Sequence, residues 1–113
     1  MPYADVIQQK EAQHRSYLRN KEKVRETTRR RRREIVAWLT EYKVSRGCSR
    51  CPENHVATID YHHENGEKDQ CLAYASRLQW SQERLEREVA KCIVLCSNCH
   101  RKLHWNERNN ISE

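Results

Sequence analysis

The chain has 113 residues, a formal net charge of +6, 36% apolar residues and 34% charged residues. This length predicts a single domain. The low fraction of apolar residues predicts a small core that needs a covalent or metal cross-link. No run approaches the roughly 18 apolar residues of a membrane span, and the N-terminus lacks the apolar segment of a secretory signal. The expected setting is the cytoplasm, where the six cysteines would be thiols available to a metal.

The excess positive charge is concentrated at the N-terminus. Residues 1–34 contain 11 Lys and Arg against 5 Asp and Glu, a balance of +6, whereas residues 35–113 contain 11 of each. A basic arm attached to a neutral module is typical of proteins that bind a polyanion such as nucleic acid. The arm contains a run of five arginines that covers more than one helical turn, so only two or three of them are expected to contact phosphate. These are Arg29, Arg30, Arg31, Arg32 and Arg33.

The first element predicted by the sequence is one long helix. Residues 3–42 contain no Gly or Pro and consist mostly of strong helix formers. The apolar residues of its first part are too widely spaced for a buried stripe, which predicts that this part is exposed to solvent. The helix should end at Arg46, with Gly47 in the left-handed conformation that commonly closes helices. An apolar stripe in the last turns should pack on the rest of the protein, and its members are Ile35, Trp38, Leu39 and Tyr42.

Short strands and helices are predicted after this helix. Residues 57–61 alternate between apolar and polar and are rich in strand formers, which predicts a strand, and residues 64–67 predict a turn. Residues 68–80 are ambiguous. Residues 93–95 predict a short buried strand, and residues 98–107 predict a final helix.

A further helix is predicted between the two strands. Ser81 should cap this helix, which is expected to run to about Ala90. Its buried edge is expected to consist of Leu85, Val89 and Cys92. Cys92 and the remaining unpaired cysteine, Cys71, are expected to be small buried apolar residues rather than ligands.

Four cysteines form two Cys-x2-Cys pairs, Cys48 with Cys51 and Cys96 with Cys99. Each pair can hold a metal ion through two sulfurs, and the two pairs together complete a tetrahedral four-sulfur site. Zinc is the expected metal, because a closed thiolate site suits it and its binding would stabilise a small core. A redox dithiol or two disulfides is the alternative. A site with four protein ligands has no open position, so its expected role is structural.

Four of the six histidines form two pairs in the sequence. His62 and His63 are adjacent at the end of the predicted strand, and His100 and His104 are one turn apart in the final helix. Taken alone, the helical pair is equally compatible with a solvent-exposed helix surface and with a metal site. A zinc ion that joins the cysteine pairs would draw the strand end towards the start of the final helix, which favours convergence of all four imidazoles in one functional site.

The stretch IDYHHENGEK, followed by WSQERLEREVAKCIVLCSNCHRKLHW, resembles HNH endonucleases with four zinc-binding cysteines, which are common in phages and bacteria. The resemblance covers about residues 48–105. It implies an α+β fold with a ββα-metal core, in which a two-stranded hairpin packs on one helix with a divalent cation between them. The expected organisation is a basic N-terminal helix at 1–46 that serves as an arm, an HNH module at 47–107 and a frayed tail at 108–113.

The same resemblance implies a role for each histidine. His63 matches the general base that activates water, and His62, His100 and His104 match ligands of the catalytic divalent ion. That ion is expected to be Mg²⁺, Mn²⁺, Ni²⁺ or Zn²⁺. Many relatives have Asp in place of His62, and an all-imidazole site is softer, which could favour zinc, nickel or manganese over magnesium.

A second departure concerns the asparagine in the middle of the family name. In relatives this residue braces the loop that carries the base, and it usually lies five residues before the second cysteine pair. Lys91 occupies that position here. Either another residue, such as Asn65 or Asn98, is expected to brace this loop, or the base is less firmly held than in relatives.

These features and the resemblance predict a metal-dependent endonuclease that hydrolyses DNA phosphodiester bonds. The resemblance further implies products with 5′-phosphate and 3′-hydroxyl ends. Double-stranded DNA is the expected partner, and it would be contacted with little sequence preference by the arginine run and by Arg101 and Lys102 of the final helix. Other phage or mobile-element proteins are candidate partners, and no membrane is expected. The alternative is a non-catalytic zinc-stabilised module that binds nucleic acid, which gives no reason for the four histidines to converge. A coiled-coil adaptor is disfavoured because no heptad stripe runs through residues 8–34.

Overall fold

The structure is a computed structural model that describes residues 3–64 and 71–111. Its elements are α1 (Tyr3–Arg46), β1 (Ile59–His63), a short 3-10 helix (Leu72–Tyr74), α2 (Gln82–Val89), β2 (Cys92–Cys96) and α3 (Ser97–Arg108). The chain is therefore an α+β protein with one long helix and a two-stranded sheet. Within the described ranges, no helix is long and apolar enough to cross a membrane.

The helix α1 forms as the sequence predicts. It ends at Arg46, and Gly47 follows with a φ of +66°, the left-handed conformation expected of a residue that closes a helix. The Gly47 N–H donates to the carbonyl of Lys43 at 2.9 Å. At 1.5 Å per residue, the 44 residues of α1 extend over about 66 Å, so most of this helix projects beyond the small sheet.

The last turns of α1 pack on the rest of the protein, which confirms that prediction. Ile35 is fully buried, and Trp38, Leu39 and Tyr42 pack around the same cluster. The other buried members of this cluster come from residues 72–89 and are Leu72, Ala75, Trp80, Leu85 and Val89.

The strands β1 and β2 pair in antiparallel fashion, from Ile59 opposite Cys96 to His63 opposite Cys92. The predicted strand at 57–61 is therefore wrong by two residues, and both neighbouring histidines lie inside β1. Residues 57–58 instead belong to a turn, in which the N–H of Thr58 donates to the carbonyl of His55 at 3.0 Å. Because β2 offers backbone partners as far as Cys92, the ladder extends through two histidines despite their modest strand preference.

The helix α2 also follows its prediction. The Ser81 hydroxyl accepts a hydrogen bond from the backbone N–H of Arg84, and Leu85 and Val89 are buried. Cys92 is half-buried, but Cys71 is exposed, so its predicted burial is wrong. Cys71 precedes the short 3-10 helix, and the inward position there is taken by Leu72.

Candidate functional site

The two cysteine pairs converge, since the Sγ atoms of Cys48, Cys51, Cys96 and Cys99 all lie within 4.8 Å of one another. Cys51 Sγ is 3.5 Å from Cys96 Sγ. Tetrahedral zinc with Zn–S bonds of about 2.3 Å would place its sulfurs roughly 3.8 Å apart. The four side chains could therefore hold a structural metal such as zinc.

Backbone hydrogen bonds position both pairs. The Ser49 N–H donates to the carbonyl of Val94 at 2.8 Å, which ties the first pair to β2. The second pair spans the start of α3, where Cys96 Sγ accepts from the backbone N–H of Cys99 at 3.4 Å. A metal held by both pairs would therefore join the sheet to the first turn of α3.

The thiols of this cluster differ in acidity. Burial disfavours the Cys48 thiolate, but hydrogen bonds from the backbone of Cys96 and Arg50 and from the Cys51 thiol outweigh it and lower the pKa of Cys48 to about 6. The hydrogen bond between Cys99 and Cys96, together with burial, raises the pKa of Cys99 to about 12. Sulfurs this close resist joint ionisation because thiolates repel one another, and a bound dication would remove that repulsion.

Three histidines form a second cluster, between β1 and α3. The ring nitrogens of His62, His100 and His104 lie within 4.8 Å of one another, and His62 Nδ1 is 3.2 Å from His100 Nε2. Metal–nitrogen bonds of about 2.0–2.1 Å at tetrahedral angles separate two nitrogens by roughly 3.3 Å. The donor set and its spacing therefore fit one divalent ion.

The strand pleat explains why His62 reaches this cluster. Side chains two residues apart on a strand share a face, and both Asp60 and His62 of β1 contact His100 of α3. Asp60 Oδ2 lies 3.9 Å from His100 Nδ1, which places a negative charge behind the ring of a candidate ligand. Burial and the neighbouring rings of His100 and His104 lower the pKa of His62, which favours the neutral form that binds metals.

His63 has a different partner from its neighbour. Its Nε2 atom is 3.1 Å from Oε1 of Glu88 in α2, and its side chain is only 12% exposed. Consecutive residues of a strand point to opposite faces, so His62 meets α3 while His63 meets α2. The structure thus brings together three of the four histidines singled out in the sequence and pairs the fourth with a carboxylate.

Glu88 is the residue that sequence reasoning missed. It is 0% exposed, and its other carboxylate oxygen, Oε2, is 3.3 Å from Nζ of Lys91. A buried carboxylate is costly unless it is paired. One feature of the sequence could have revealed it, because Glu88 is three residues after Leu85 and adjacent to Val89, on the buried edge of α2.

Lys91 contributes to this arrangement through its backbone. Its carbonyl accepts a hydrogen bond from the N–H of Glu64 at 3.0 Å, which fastens the residue directly after His63. Of the two asparagines expected to brace this region, Asn98 is exposed and lines a groove beside the cysteines. Asn65 lies outside the described residues, as does most of the turn predicted at 64–67.

The basic residues divide into two groups. The guanidinium of Arg31 donates to the carbonyl of Trp80 at 2.9 Å and lies 3.6 Å from the Glu34 carboxylate, so it helps to dock α1. Arg32, which is itself exposed, reaches the carbonyl of Arg77 at 3.5 Å. The other predicted DNA-binding residues are exposed, namely Arg29, Arg30, Arg33, Arg101 and Lys102.

No known protein family, curated protein or solved structure matches this chain.

Proposed function

We propose that this chain is a metal-dependent DNA endonuclease of the HNH type, with β1, β2 and α3 as its ββα-metal core. The observation that carries the proposal is the convergence of His62, His100 and His104 at metal-binding distances, with His63, the next residue of β1 after His62, held by a buried carboxylate. A ring of three imidazoles leaves positions for phosphate oxygens on a bound ion, unlike the closed site formed by the four cysteines. The reaction supported is phosphodiester hydrolysis.

The residues have distinct roles in this reaction. His62, His100 and His104 would hold the catalytic divalent ion, which when bound supplies Lewis-acid stabilisation of the phosphate and of the leaving 3′ oxygen. A carboxylate such as Glu88 can only accept hydrogen bonds, so it favours the form of His63 with its proton on Nε2. Nδ1 is then the free base that takes a proton from the attacking water.

Glu88 also stabilises the product of that proton transfer. When His63 has accepted a proton, the imidazolium is adjacent to a buried negative charge at 3.1 Å. The same logic governs a histidine base held by a buried aspartate in serine hydrolases. Glu88 therefore orients the base and lies where it can pair with the imidazolium.

DNA would be bound mainly through its phosphates. The exposed arginines of α1 and the pair Arg101 and Lys102 on α3 supply positive charge on the arm and beside the histidine cluster. Such contacts give affinity that falls with salt and carry little sequence information. A zinc ion on the four cysteines would hold α3 in position against β1. The role of this zinc ion in the reaction is therefore indirect.

The competing function is a non-catalytic zinc module that binds nucleic acid. The four-cysteine cluster and the basic helix would be sufficient for that role. It does not account for Glu88, because a residue needed only for packing on the buried edge of α2 would be apolar. The buried pair of Glu88 and His63 therefore favours the nuclease.

Nicking of supercoiled plasmid by the purified full-length protein tests the proposal. Nicked or linear DNA with 5′-phosphate ends is expected when Mg²⁺, Mn²⁺, Ni²⁺ or Zn²⁺ is added. The matched control is His63→Ala, which should bind DNA but not cut it. A folded wild-type protein that binds DNA and cuts it with none of the four ions would support the non-catalytic module instead.

A further inference from the structure

An exposed tryptophan directly follows the last histidine of the cluster. Trp105 of α3 is 52% exposed, whereas Trp80 is 2% exposed and has the guanidinium of Arg84 over its ring at 4.2 Å. In the part of the chain that the structure describes, no ring stacks on Trp105 and no cation lies over it. The face of this large ring is therefore open to a ligand.

Positive charges surround this ring. Trp105 lies in a groove of about 550 Å³ whose other lining residues are Arg101, Lys102, His104 and Arg108. Helical spacing explains the grouping, since Arg101 and Lys102 precede Trp105 by four and three residues and Arg108 follows it by three. Across residues 3–64 and 71–111, none of these three cations forms an ion pair. The groove thus combines an open aromatic face with uncompensated positive charge.

We propose that this surface, the Trp105 face, binds DNA whose bases are unpaired next to the bound phosphate, with the Trp105 ring stacked on one base. The Trp105 face consists of Arg101, Lys102, Trp105 and Arg108. Aromatic rings stack on bases of any sequence, and surrounding cations hold the neighbouring phosphates. In an intact duplex each base is covered by its neighbours, so the stack requires a single strand or a locally opened duplex.

The position of His104 links this surface to the proposed reaction. His104 belongs both to the histidine cluster and to the lining of the groove. A base on Trp105 would therefore belong to a nucleotide close to the phosphate at the cluster. The inference rests on the proposed function to this extent, because it concerns the form of DNA that the proposed nuclease would prefer as substrate.

A membrane surface is the other ligand that exposed tryptophans and basic residues commonly meet. Helices that lie on membranes bury a broad apolar face. Trp105 is the one large apolar side chain among the five residues that line this groove. Leu103, the nearby leucine of α3, is half-buried and lines a different groove with His62 and Ile93. The chemistry of the Trp105 face therefore favours nucleic acid.

The test measures binding by the full-length protein without added divalent ion, through tryptophan fluorescence and competition. The probes are a thymidine oligonucleotide, a blunt duplex of equal length, heparin, and vesicles that contain phosphatidylserine. The oligonucleotide should quench the fluorescence, because a stacked base approaches the indole, and Trp105→Leu should weaken its binding roughly tenfold or more. Heparin has no bases, so its binding should be the same for both proteins.

Two further variants sharpen the comparison. Trp105→Phe keeps an aromatic face and should retain most of the affinity for the oligonucleotide. Tyr74→Leu is the matched control, since Tyr74 is also an exposed aromatic residue, 44% exposed, but lies outside the groove. It should bind every probe as the wild type does. Circular dichroism of each variant verifies that the comparison concerns folded protein.

Several outcomes would overturn the inference. These are an unchanged oligonucleotide affinity in Trp105→Leu, an equal loss for heparin or for the blunt duplex, and a fluorescence response to the vesicles alone. The proposed nuclease activity is tested separately by plasmid nicking. If Trp105 stacks on bases but the protein does not nick plasmid, the proposed nuclease activity is wrong and the proposed role of the Trp105 face stands. If the protein nicks plasmid but Trp105→Leu leaves oligonucleotide binding unchanged, only the proposed role of the Trp105 face is wrong.

Discussion

The Nε2 atom of His63 lies 3.1 Å from the Oε1 atom of Glu88, whose side chain has no exposure to solvent. Replacing a buried ion pair with packed apolar residues is often neutral or stabilising, so packing alone does not explain a glutamate here. The contact does fix the ring of His63 and the nitrogen that carries its proton. We therefore expect the Glu88 carboxylate to matter for the reaction rather than for the packing of α2.

Glu88→Gln should lower kcat for plasmid cleavage by roughly ten- to thousandfold, with a smaller change in KM. The amide is nearly the same size as the carboxylate, but it neither enforces the Nε2-protonated form of His63 nor stabilises the imidazolium. The control is Glu83→Gln, an exposed position in the first turn of the same helix. A wild-type kcat in Glu88→Gln, alongside an inactive His63→Ala, would show that His63 acts without this carboxylate.

His63→Ala and His62→Ala should impair DNA cleavage in different ways. His63→Ala removes the base, so cleavage should fall by roughly two to four orders of magnitude while metal binding at the histidine cluster persists. His62→Ala removes a ligand, so half-maximal cleavage should require more metal, and excess metal should partly restore activity. Cleavage rates across a metal titration distinguish the two variants. An identical metal dependence in both would contradict the assignment of roles.

Cys51→Ser or Cys96→Ser should abolish both metal content and cooperative folding. The wild-type protein should contain about one tightly bound zinc per chain, because the four thiols lie close enough together to form a closed tetrahedral site. Metal analysis and thermal unfolding measure these effects. Cys71→Ser is the matched control, since Cys71 is exposed and lies outside the cluster. Metal-free wild-type protein with both cysteine pairs oxidised would contradict the structural-zinc assignment.

The arginine run should separate into binding and docking residues. Replacing Arg29, Arg30 and Arg33 with glutamine should weaken DNA binding and make the slope of log affinity against log salt shallower, by about 0.9 for each phosphate that the protein no longer neutralises. Arg31→Gln should instead lower the melting temperature, because its guanidinium donates to the carbonyl of Trp80 in the packed part of the protein. Salt-dependent DNA binding and thermal unfolding measure the two effects. Equal losses of DNA affinity per residue, with no change in stability, would place Arg31 among the binding residues.

Local features of the chain were sufficient to predict most elements. The absence of Gly and Pro from residues 3–42 predicted α1, Gly47 predicted its end, and Ser81 predicted the start of α2. These predictions succeed because helix propensity and capping depend on residues within a few positions of one another. The two cysteine pairs likewise belong to a local pattern, in which each pair can contact one metal ion from a single short loop.

The tertiary structure determined the strand pairing and the contacts between residues that are far apart in the sequence. Pairing with β2 extended β1 through His63, although propensity placed the end of that strand two residues earlier. The partner of His63 is 25 residues away along the chain, and the carbonyl that receives Arg31 is 49 residues away. No local pattern specifies such contacts, because they arise when α1, α2 and the sheet pack together. The sequence alone therefore indicated which cysteines and histidines could do chemistry. Tertiary packing decided that His62 faces two other histidines while His63 faces Glu88, a carboxylate that the sequence did not single out.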